Sequence, residues 1–162
     1  MPTTYQPIAT SVLVSSQSQV IFSDISSNYT DLVLVLNTGA TEGTGCYMQF
    51  NGDTSSNYSF IQMWGPNSNT AFSESQASQS YIDMQSVGTS VLHTNICNIM
   101  SYSQTSKQKA LITRAYDANN NRWYQSLGNW RSTAAINQIR VYVTPGQFIA
   151  GSTFSLYGIK AA

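Results

Sequence analysis

The chain has 162 residues, the size of a single domain, and is long enough to bury a hydrophobic core without a disulfide or a metal. Charged residues make up only 9%, the formal net charge is zero, and 24 Ser, 16 Thr, 13 Asn and 13 Gln supply most of the polar surface. This composition excludes the basic surface that nucleic-acid-binding proteins need, and 41% hydrophobic residues argue against a disordered chain.

The N-terminal segment 1–10 has no positive charge and no apolar run, so we expect no secretory signal there. No apolar stretch of the chain is long enough to predict a transmembrane helix. We expect 1–10 to be an extended arm and 11–162 to form a single β-sandwich domain.

Short β-type runs, separated by clusters of Ser, Asn, Gly and Thr, recur along the chain, and helical periodicity is nearly absent. About 8–11 strands with this spacing are typical of an all-β antiparallel sandwich or barrel. Turns are predicted at Asn51–Asp53, Asn119–Asn121 and Pro145–Gly146. The predicted strands are Ser11–Val14, Gln19–Phe22, Leu32–Asn37, Cys46–Phe50, Tyr58–Trp64, Tyr81–Met84, Val91–Tyr102, Ala110–Tyr116, Trp123–Trp130, Ile136–Val143 and Thr153–Ile159.

Alternation along several of these strands predicts which side chains face the core. The predicted inward residues are Cys46, Met48, Phe50, Ile139, Val141, Val143, Phe154 and Leu156. The run Leu32–Leu36 breaks the pattern, because it is apolar at every position, whereas a strand with one face in water should alternate. Its outer face is therefore covered either by a loop or by another subunit.

The segment 65–80 is polar and consists of small residues, and we expect it to be a loop. A loop of this length in a compact domain is usually functional or mobile. It is either an interaction loop that orders on contact or a surface excursion.

Charge is divided unevenly along the chain. Residues 1–106 contain six carboxylates and no Lys or Arg, and residues 107–162 contain seven Lys or Arg and one Asp. Either the strands interleave so that these charges pair within one subunit, or an acidic face meets a basic face of a neighbouring copy or another protein. A net charge near zero gives weak repulsion between molecules, which suits a subunit of an assembly.

Few residues offer catalytic or metal-binding chemistry. The single His93 lies in a predicted strand without a Gly-x-Ser-x-Gly elbow, and we interpret it as structural. Scattered carboxylates disfavour a glycosidase pair, and no acidic-loop motif supports calcium at Asp53. Cys46 and Cys97 lack metal-ligand spacing, so we expect buried free thiols, with a disulfide between them as the alternative. The sequence thus predicts no enzyme, no cofactor and no metal.

Binding fits the composition better than catalysis, because 12% of the residues are aromatic. Trp64, Trp123 and Trp130 could form platforms on which a sugar ring stacks. The alternative is that Trp123 and Trp130 are anchors of the core or of a protein interface, where aromatic residues dominate the binding energy.

Six short motifs follow one another over nearly the whole chain: Tyr5–Thr10, Tyr29–Val35, Phe50–Thr54 with Asn57–Ser59, Asn98–Ser103, Trp130–Ile136 and Ala150–Ile159. Together they resemble a family of tailed-bacteriophage virion proteins, which occur as small stand-alone proteins and as terminal modules of fibre-like ones. The resemblance implies a jelly-roll-like β-sandwich on the particle surface, oligomeric and without a catalytic motif.

We therefore expect a virion structural protein, a capsid decoration or cement protein that stabilises the shell and is assembled in the cytoplasm of a bacterial host. Its expected partners are the major capsid protein or tail components and copies of itself, with no nucleic acid and no membrane. The predicted partner-contact residues are Tyr5, Pro7, Ile8, Leu32, Val33, Leu34 and Val35. The alternative is a tail-fibre or baseplate module that binds a receptor or a host-surface glycan through one of the three tryptophans.

Overall fold

The structure, a computed structural model, describes residues 4–66, 70–89 and 91–160. These residues form twelve β-strands and no helix. The prediction of an all-β chain is therefore confirmed. The strands are β1 (Tyr5–Val12), β2 (Gln19–Phe22), β3 (Asp31–Thr38), β4 (Thr44–Phe50), β5 (Tyr58–Pro66), β6 (Phe72–Gln79), β7 (Ile82–Val87), β8 (His93–Met100), β9 (Lys109–Asp117), β10 (Arg122–Trp130), β11 (Ile139–Thr144) and β12 (Thr153–Ile159).

The strands lie in two antiparallel sheets. The large sheet has eight strands in the order β1-β12-β3-β8-β9-β10-β5-β6, and the small sheet has four in the order β2-β11-β4-β7. The first four strands alternate between the sheets, because β1 and β3 enter the large sheet and β2 and β4 enter the small one. The two sheets face each other as the predicted β-sandwich.

Two hairpins, β5–β6 and β9–β10, make the large sheet wider than the small one. They join through antiparallel pairing of β10 with β5, which runs from Arg122 opposite Pro66 to Trp130 opposite Tyr58. These four strands, β9, β10, β5 and β6, are named the extension below. Strand β7, at the edge of the small sheet, packs against β5, β9 and β10 and so covers part of the inner face of the extension.

The core lies between the sheets and is filled by alternate side chains. All of the predicted inward residues are buried, namely Cys46, Met48, Phe50, Ile139, Val141, Val143, Phe154 and Leu156. The register aligns them across strands, since Leu156 lies opposite Leu34 in the large sheet and Val141 lies opposite Met48 in the small one. Alternation predicted these positions because each of the strands has one face on the core.

The three predicted turns are present, and each uses a residue in the left-handed backbone region. Asn51 and Gly52 have φ values of 53° and 68°, Asn121 has 49° and Gly146 has 84°. Asparagine and glycine tolerate this conformation better than other residues. Asn121 ends the tip of the β9–β10 hairpin, as its sequence predicts.

The prediction of a loop over 65–80 is wrong for most of that segment. Phe72–Gln79 forms strand β6, and β5 continues to Pro66; residues 67–69 lie outside the described residues. Strand β6 has no amphipathic pattern because it is an edge strand with both faces exposed. Its conformation is set by backbone pairing with β5, which the composition of β6 does not reveal.

The described part of the predicted arm 1–10 belongs to the large sheet, and residues 1–3 lie outside the described residues. Tyr5–Val12 forms the edge strand β1, which pairs with β12 from Tyr5 opposite Ile159 to Val12 opposite Thr153. Ile8 and Ala9 pack against the core from this strand. The segment is therefore held to the domain by backbone hydrogen bonds and apolar contacts instead of extending away from it.

Candidate functional site

Asp53 organises the turn between β4 and β5, within one of the motifs of the resemblance. Its carboxylate accepts hydrogen bonds from the Trp130 indole N–H (2.7 Å), the Asn57 side-chain amide (3.0 Å) and the Ser55 backbone N–H (2.9 Å). Burial acts to raise the pKa of Asp53, but these hydrogen bonds outweigh burial and hold the pKa below its usual value. The carboxylate thus stabilises the turn, and these three hydrogen-bond donors belong to the same chain.

Tyr58 closes the same end of the sandwich. Its hydroxyl donates to the Asp53 carbonyl and accepts from the Phe50 backbone N–H, each at 3.0 Å. The Trp130 ring stacks on Tyr58, with 6.3 Å between ring centroids, and lies 5.5 Å from Phe50. Two motifs that are distant in sequence, the one that contains Phe50 and Tyr58 and the one that begins at Trp130, therefore meet in one aromatic cluster beneath the turn.

A second interlock joins the turn after β8 to the loop before β3. The Tyr102 hydroxyl donates to the Ser26 carbonyl and accepts from the Tyr29 backbone N–H at 3.3 Å. The Ser101 backbone N–H donates to the Asp31 carboxylate at 2.6 Å. These contacts also lie within motifs of the resemblance.

Gly158 explains a further motif. A Cβ atom at this position would lie 2.3 Å from the ring of Tyr29, so only glycine lets β12 pass beneath that ring. The motif residues whose contacts are described above therefore build the framework of the sandwich. The motifs indicate mainly how the chain folds, and exposed residues are the candidates for a binding surface.

Lys109 is a buried cation that the sequence analysis did not single out. Its ammonium donates to the carbonyls of Gln104 (2.5 Å), Lys107 (2.8 Å) and Thr133 (3.1 Å). Burial, and secondarily the charge of Lys107, lower the pKa of Lys109. One side chain thereby ties the β8–β9 loop to the β10–β11 loop.

The predicted contact residues of β3 lie in or beside the core. Leu32 and Leu34 are fully buried between the sheets, so the prediction that they contact a partner is wrong. Val33 points to the outer face but is buried between Tyr157 of β12 and Asn98 of β8. Neighbouring strands thus cover Val33, without a loop or a second subunit, and Val35 is half-buried.

The predicted contact residues of β1 lie at the open edge of the large sheet. Tyr5 and Pro7 are exposed, whereas Ile8 is half-buried against the core. Val12 is exposed, and Val14, just beyond the strand, is 91% exposed. Tyr5, Pro7, Val12 and Val14 are named the β1 edge surface.

The three tryptophans occupy different environments. Trp130 is 2% exposed, so the sugar-stacking prediction is wrong for this residue and its role as a core anchor is observed. Trp64 is half-buried and stacks on Phe72 with 5.7 Å between ring centroids. Trp123 is 69% exposed and remains a candidate platform.

Large apolar side chains cover the outer face of the extension. Leu127 of β10 lies opposite Ile61 of β5, and both are exposed, as are Met63 and Trp123. These four residues are named the outer apolar patch; sequence reasoning identified Trp123 alone among them and missed Leu127, Ile61 and Met63. The signal was available in β10, where the alternate positions are small, because Ser126 and Gly128 face inward and leave the large residues outside.

A groove of about 710 Å³ lies at one end of the outer apolar patch. Its walls are the rings of Trp123 and Tyr116, with centroids 4.6 Å apart and planes tilted by 40°. The remaining lining residues include Met63, Thr94, Ile96, Arg114 and Gln125. Cross-strand pairing places Trp123 beside Tyr116, and Gln125 beside Arg114.

Two hydrogen bonds hold the polar groups of this groove. The Arg114 guanidinium donates to the Asn98 side-chain oxygen at 2.9 Å. The Tyr116 hydroxyl donates to the Asn121 side-chain oxygen at the hairpin tip at 2.7 Å. Both side chains belong to strand β9, and a site built on a strand is positioned more precisely than a site built on a loop.

His93 supports the tip of the β9–β10 hairpin. Its Nδ1 atom accepts the Ala118 backbone N–H at 3.2 Å and lies 3.3 Å from the Asp117 carboxylate. The same carboxylate accepts the backbone N–H groups of Asn119 and Asn120 at 3.0 and 3.1 Å. His93 is buried, so these contacts hold the hairpin tip beside the groove.

Cys46 and Cys97 are both buried free thiols, which confirms that prediction. Burial raises the pKa of both thiols, and that of Cys97 reaches about 12. Both therefore remain protonated and unreactive at neutral pH.

The charged side chains bond mainly to neutral groups. Among the described residues, no Lys or Arg lies within 4.0 Å of a carboxylate, and the prediction that the charges pair within one subunit is wrong for this part of the chain. Arg140 donates instead to the side-chain oxygens of Gln19 (2.7 Å) and Gln49 (2.8 Å). The carboxylates of Asp31, Asp53 and Asp117 accept from turn residues, as described above.

The chain matches no family model, no curated protein and no solved structure. In the described ranges, no helix could cross a membrane, and no group of three or more His, Cys, Asp or Glu side chains could hold a metal ion. Two surfaces of the described residues are therefore the candidates for function, the β1 edge surface and the groove with the outer apolar patch.

Proposed function

We propose that the chain is a non-enzymatic structural subunit on the surface of a tailed-phage particle, a capsid decoration or cement protein that stabilises the shell. The observation that carries the proposal is the β1 edge surface. Its partner is the major capsid protein or a tail component, and copies of the chain associate with one another on the particle. The chain would be assembled into the virion in the cytoplasm of the bacterial host.

The β1 edge surface suits attachment to another protein for two reasons. Strand β1 is the last strand at one edge of the large sheet, so one side of its backbone can pair with a strand of a partner. Its exposed apolar residues, Tyr5, Val12 and Val14, add area that is favourable to bury. None of the four residues of the β1 edge surface is charged, so burying their side chains removes no charge from water.

The strand order supports the jelly-roll arrangement that the resemblance implies. Without the four strands of the extension, four strands remain in each sheet, in the orders β1-β12-β3-β8 and β2-β11-β4-β7. Double-sheet jelly rolls have eight strands in two Greek keys. We infer that the β5–β6 and β9–β10 hairpins are additions to such a framework.

The test uses particles of the phage that encodes the chain, purified with and without that gene. We expect the purified chain to sediment with the deficient particles and to raise their resistance to heat. Replacing Val12 and Val14 by Ser should weaken binding by at least about tenfold, since both side chains are at the contact. Deleting residues 1–10 is a poor test, because it would remove most of β1 and uncover the core beneath Ile8 and Ala9.

Leu127→Ser is the matched control, because Leu127 is an exposed apolar residue far from the β1 edge. It should bind particles as the unchanged chain does. Absence of the chain from wild-type particles by mass spectrometry would contradict the proposal, and equal binding by the Val12 and Val14 variant would reject the β1 edge as the contact.

A second candidate function is a tail-fibre or baseplate module that binds a receptor or a host-surface glycan. The exposed ring of Trp123 beside the groove favours it. Electron cryomicroscopy of the whole virion distinguishes the two candidates, because a decoration protein follows the capsid lattice and a receptor-binding module lies on the tail.

A further inference from the structure

The groove beside Trp123 combines apolar walls with a few polar groups. Two aromatic rings and Met63 form an apolar surface, while Arg114, Gln125 and Thr94 bring hydrogen-bonding groups to it. Binding sites for small ligands commonly have this composition and volumes of about 300–1,000 Å³, and the groove falls in that range at about 710 Å³. Its aromatic walls and its single charged residue restrict the ligand further.

We propose that this groove binds an acidic saccharide, with a sugar ring packed on Trp123 and a carboxylate of the sugar at Arg114. The inference depends on the second candidate function and names its ligand class. The C–H face of a sugar ring is flat and apolar, and it matches an exposed indole ring better than a charged or branched group does.

Arg114 selects for an acidic sugar. A guanidinium carries five N–H donors in a fixed fork, and one of the five is used by Asn98. The other donors are enough for a two-point contact with a carboxylate, which is the strongest pairing open to arginine. Among the described residues no other Lys or Arg lines the groove, so a ligand with a chain of phosphates would be poorly neutralised.

Gln125 and Thr94 complete the site. They lie on the two sides of Arg114 and Tyr116, because β10 and β8 both pair with β9. Their amide and hydroxyl groups can each donate and accept, as the hydroxyls of a sugar ring require. A protein partner could bury the outer apolar patch, but contact with the groove would also bring it against the charge of Arg114.

The experiment is binding of the full chain to an immobilised panel of acidic and neutral oligosaccharides, including uronic-acid polymers and their neutral counterparts. We expect binding to acidic members. Trp123→Ala should weaken it by at least about tenfold, and Arg114→Gln should remove the preference for acidic over neutral members. Arg114→Lys should give intermediate binding, because the charge remains and the two-point geometry is lost.

Ile21→Ala is the matched control, since Ile21 is an exposed apolar residue on β2 of the small sheet, away from the groove. It should bind the panel as the unchanged chain does, and thermal unfolding should show that Trp123→Ala remains folded. No binding to any panel member, or an unchanged acidic preference in Arg114→Gln, would overturn the proposal. The proposal would also be overturned if the unchanged chain bound no glycan and Trp123→Ala abolished its self-association, because the groove would then be a protein contact.

Particle sedimentation and the glycan panel separate the two proposals. Failure of the chain to sediment with particles would reject the decoration role and leave the saccharide site standing. Failure on the panel would reject the saccharide site and leave attachment through β1 unaffected.

Discussion

The two halves of the large sheet differ in where they place apolar residues. In the half formed by β1, β12, β3 and β8, large apolar residues such as Leu34 and Leu156 face inward and are fully buried. The extension also buries apolar residues such as Trp130, but its inner face includes polar residues such as Ser126, and large apolar residues such as Leu127 face outward and are exposed. Both halves belong to one sheet and have the same backbone geometry.

The comparison separates stability from interaction. The first half packs its apolar face on the small sheet, and the core lies between them. In the described part of the chain, the small sheet packs on the inner face of the large sheet, so an outward apolar residue of the extension gains little burial. Exposed apolar patches of this kind usually mark binding surfaces.

The sharpest way to break this comparison is to make the same change in both halves. Leu34→Ala should lower the free energy of unfolding by about 2–5 kcal/mol, because it leaves a cavity in the core. Leu127→Ala should change it by less than about 0.5 kcal/mol, because the side chain is exposed. Urea denaturation of both variants measures the difference, and equal losses would refute the view that the outward apolar residues of the extension contribute little to stability.

Lys109→Met tests the buried cation that links the two loops. Removing the ammonium leaves three carbonyls without their donor, and we expect a loss of about 3 kcal/mol of unfolding free energy. The matched control is Lys107→Met, at an exposed side chain, with an expected change below about 0.5 kcal/mol. Similar melting curves for the two variants would show that Lys109 does not anchor the loops.

Hydrogen exchange compares the two halves without a mutation. Among the described residues, several buried polar atoms of the extension and of the strand packed on it have no hydrogen-bond partner within the chain, including Ser126 Oγ and Gln85 Nε2. Such groups lower the cost of opening, because water satisfies them. We expect the amides of β5 and β10 to exchange faster than those of β3 and β12; equal protection would mean that the extension is as firmly held as the core half.

The smallest effect concerns pH, through two carboxylates with opposite shifts. Hydrogen bonds hold the pKa of Asp53 below its usual value, so its stabilising contribution is present above the unfolded-state pKa and is lost as pH falls through the folded-state pKa. Burial raises the pKa of Asp83, so its charge destabilises the fold at neutral pH, and this penalty disappears as pH falls through the folded-state pKa.

Melting temperatures from about pH 7 to about pH 3 test both carboxylates. Asp53→Asn should reduce the loss of stability on acidification and should cost about 1 kcal/mol at neutral pH, because hydrogen-bond acceptors are lost. Asp83→Asn should make the loss on acidification steeper, since an opposing contribution is removed. Parallel pH curves for the two variants would contradict the assigned shifts.

The strands of the core half were predictable from local pattern. Alternation identified Cys46, Met48 and Phe50 on β4, and glycine and asparagine identified the turn that follows. Strand β6 was not predictable, because its exposed side chains follow no pattern and only pairing with β5 sets its conformation. The contact role expected of Leu32 and Leu34 was wrong, since a strand inside a wide sheet can be apolar on both faces without a partner.

Of the candidate site, Trp123 was identified in the sequence as one of three equivalent tryptophans. Its partners in the groove were not, because Tyr116 and Arg114 reach it only through pairing of β9 with β10. Alternation of side chains along β10 separates Trp123 from Trp130, which lies on the opposite face at the other end of the strand.

The sequence alone determined the all-β class, the main turns and the inward residues of most core strands, because these depend on alternation and on backbone preferences within a few residues. The tertiary structure decided which apolar residues remain outside, because burial depends on which face of a strand meets the small sheet and on which strands lie beside it. It also decided which polar groups meet in the groove, since strand order brings together residues that have no relation along the chain.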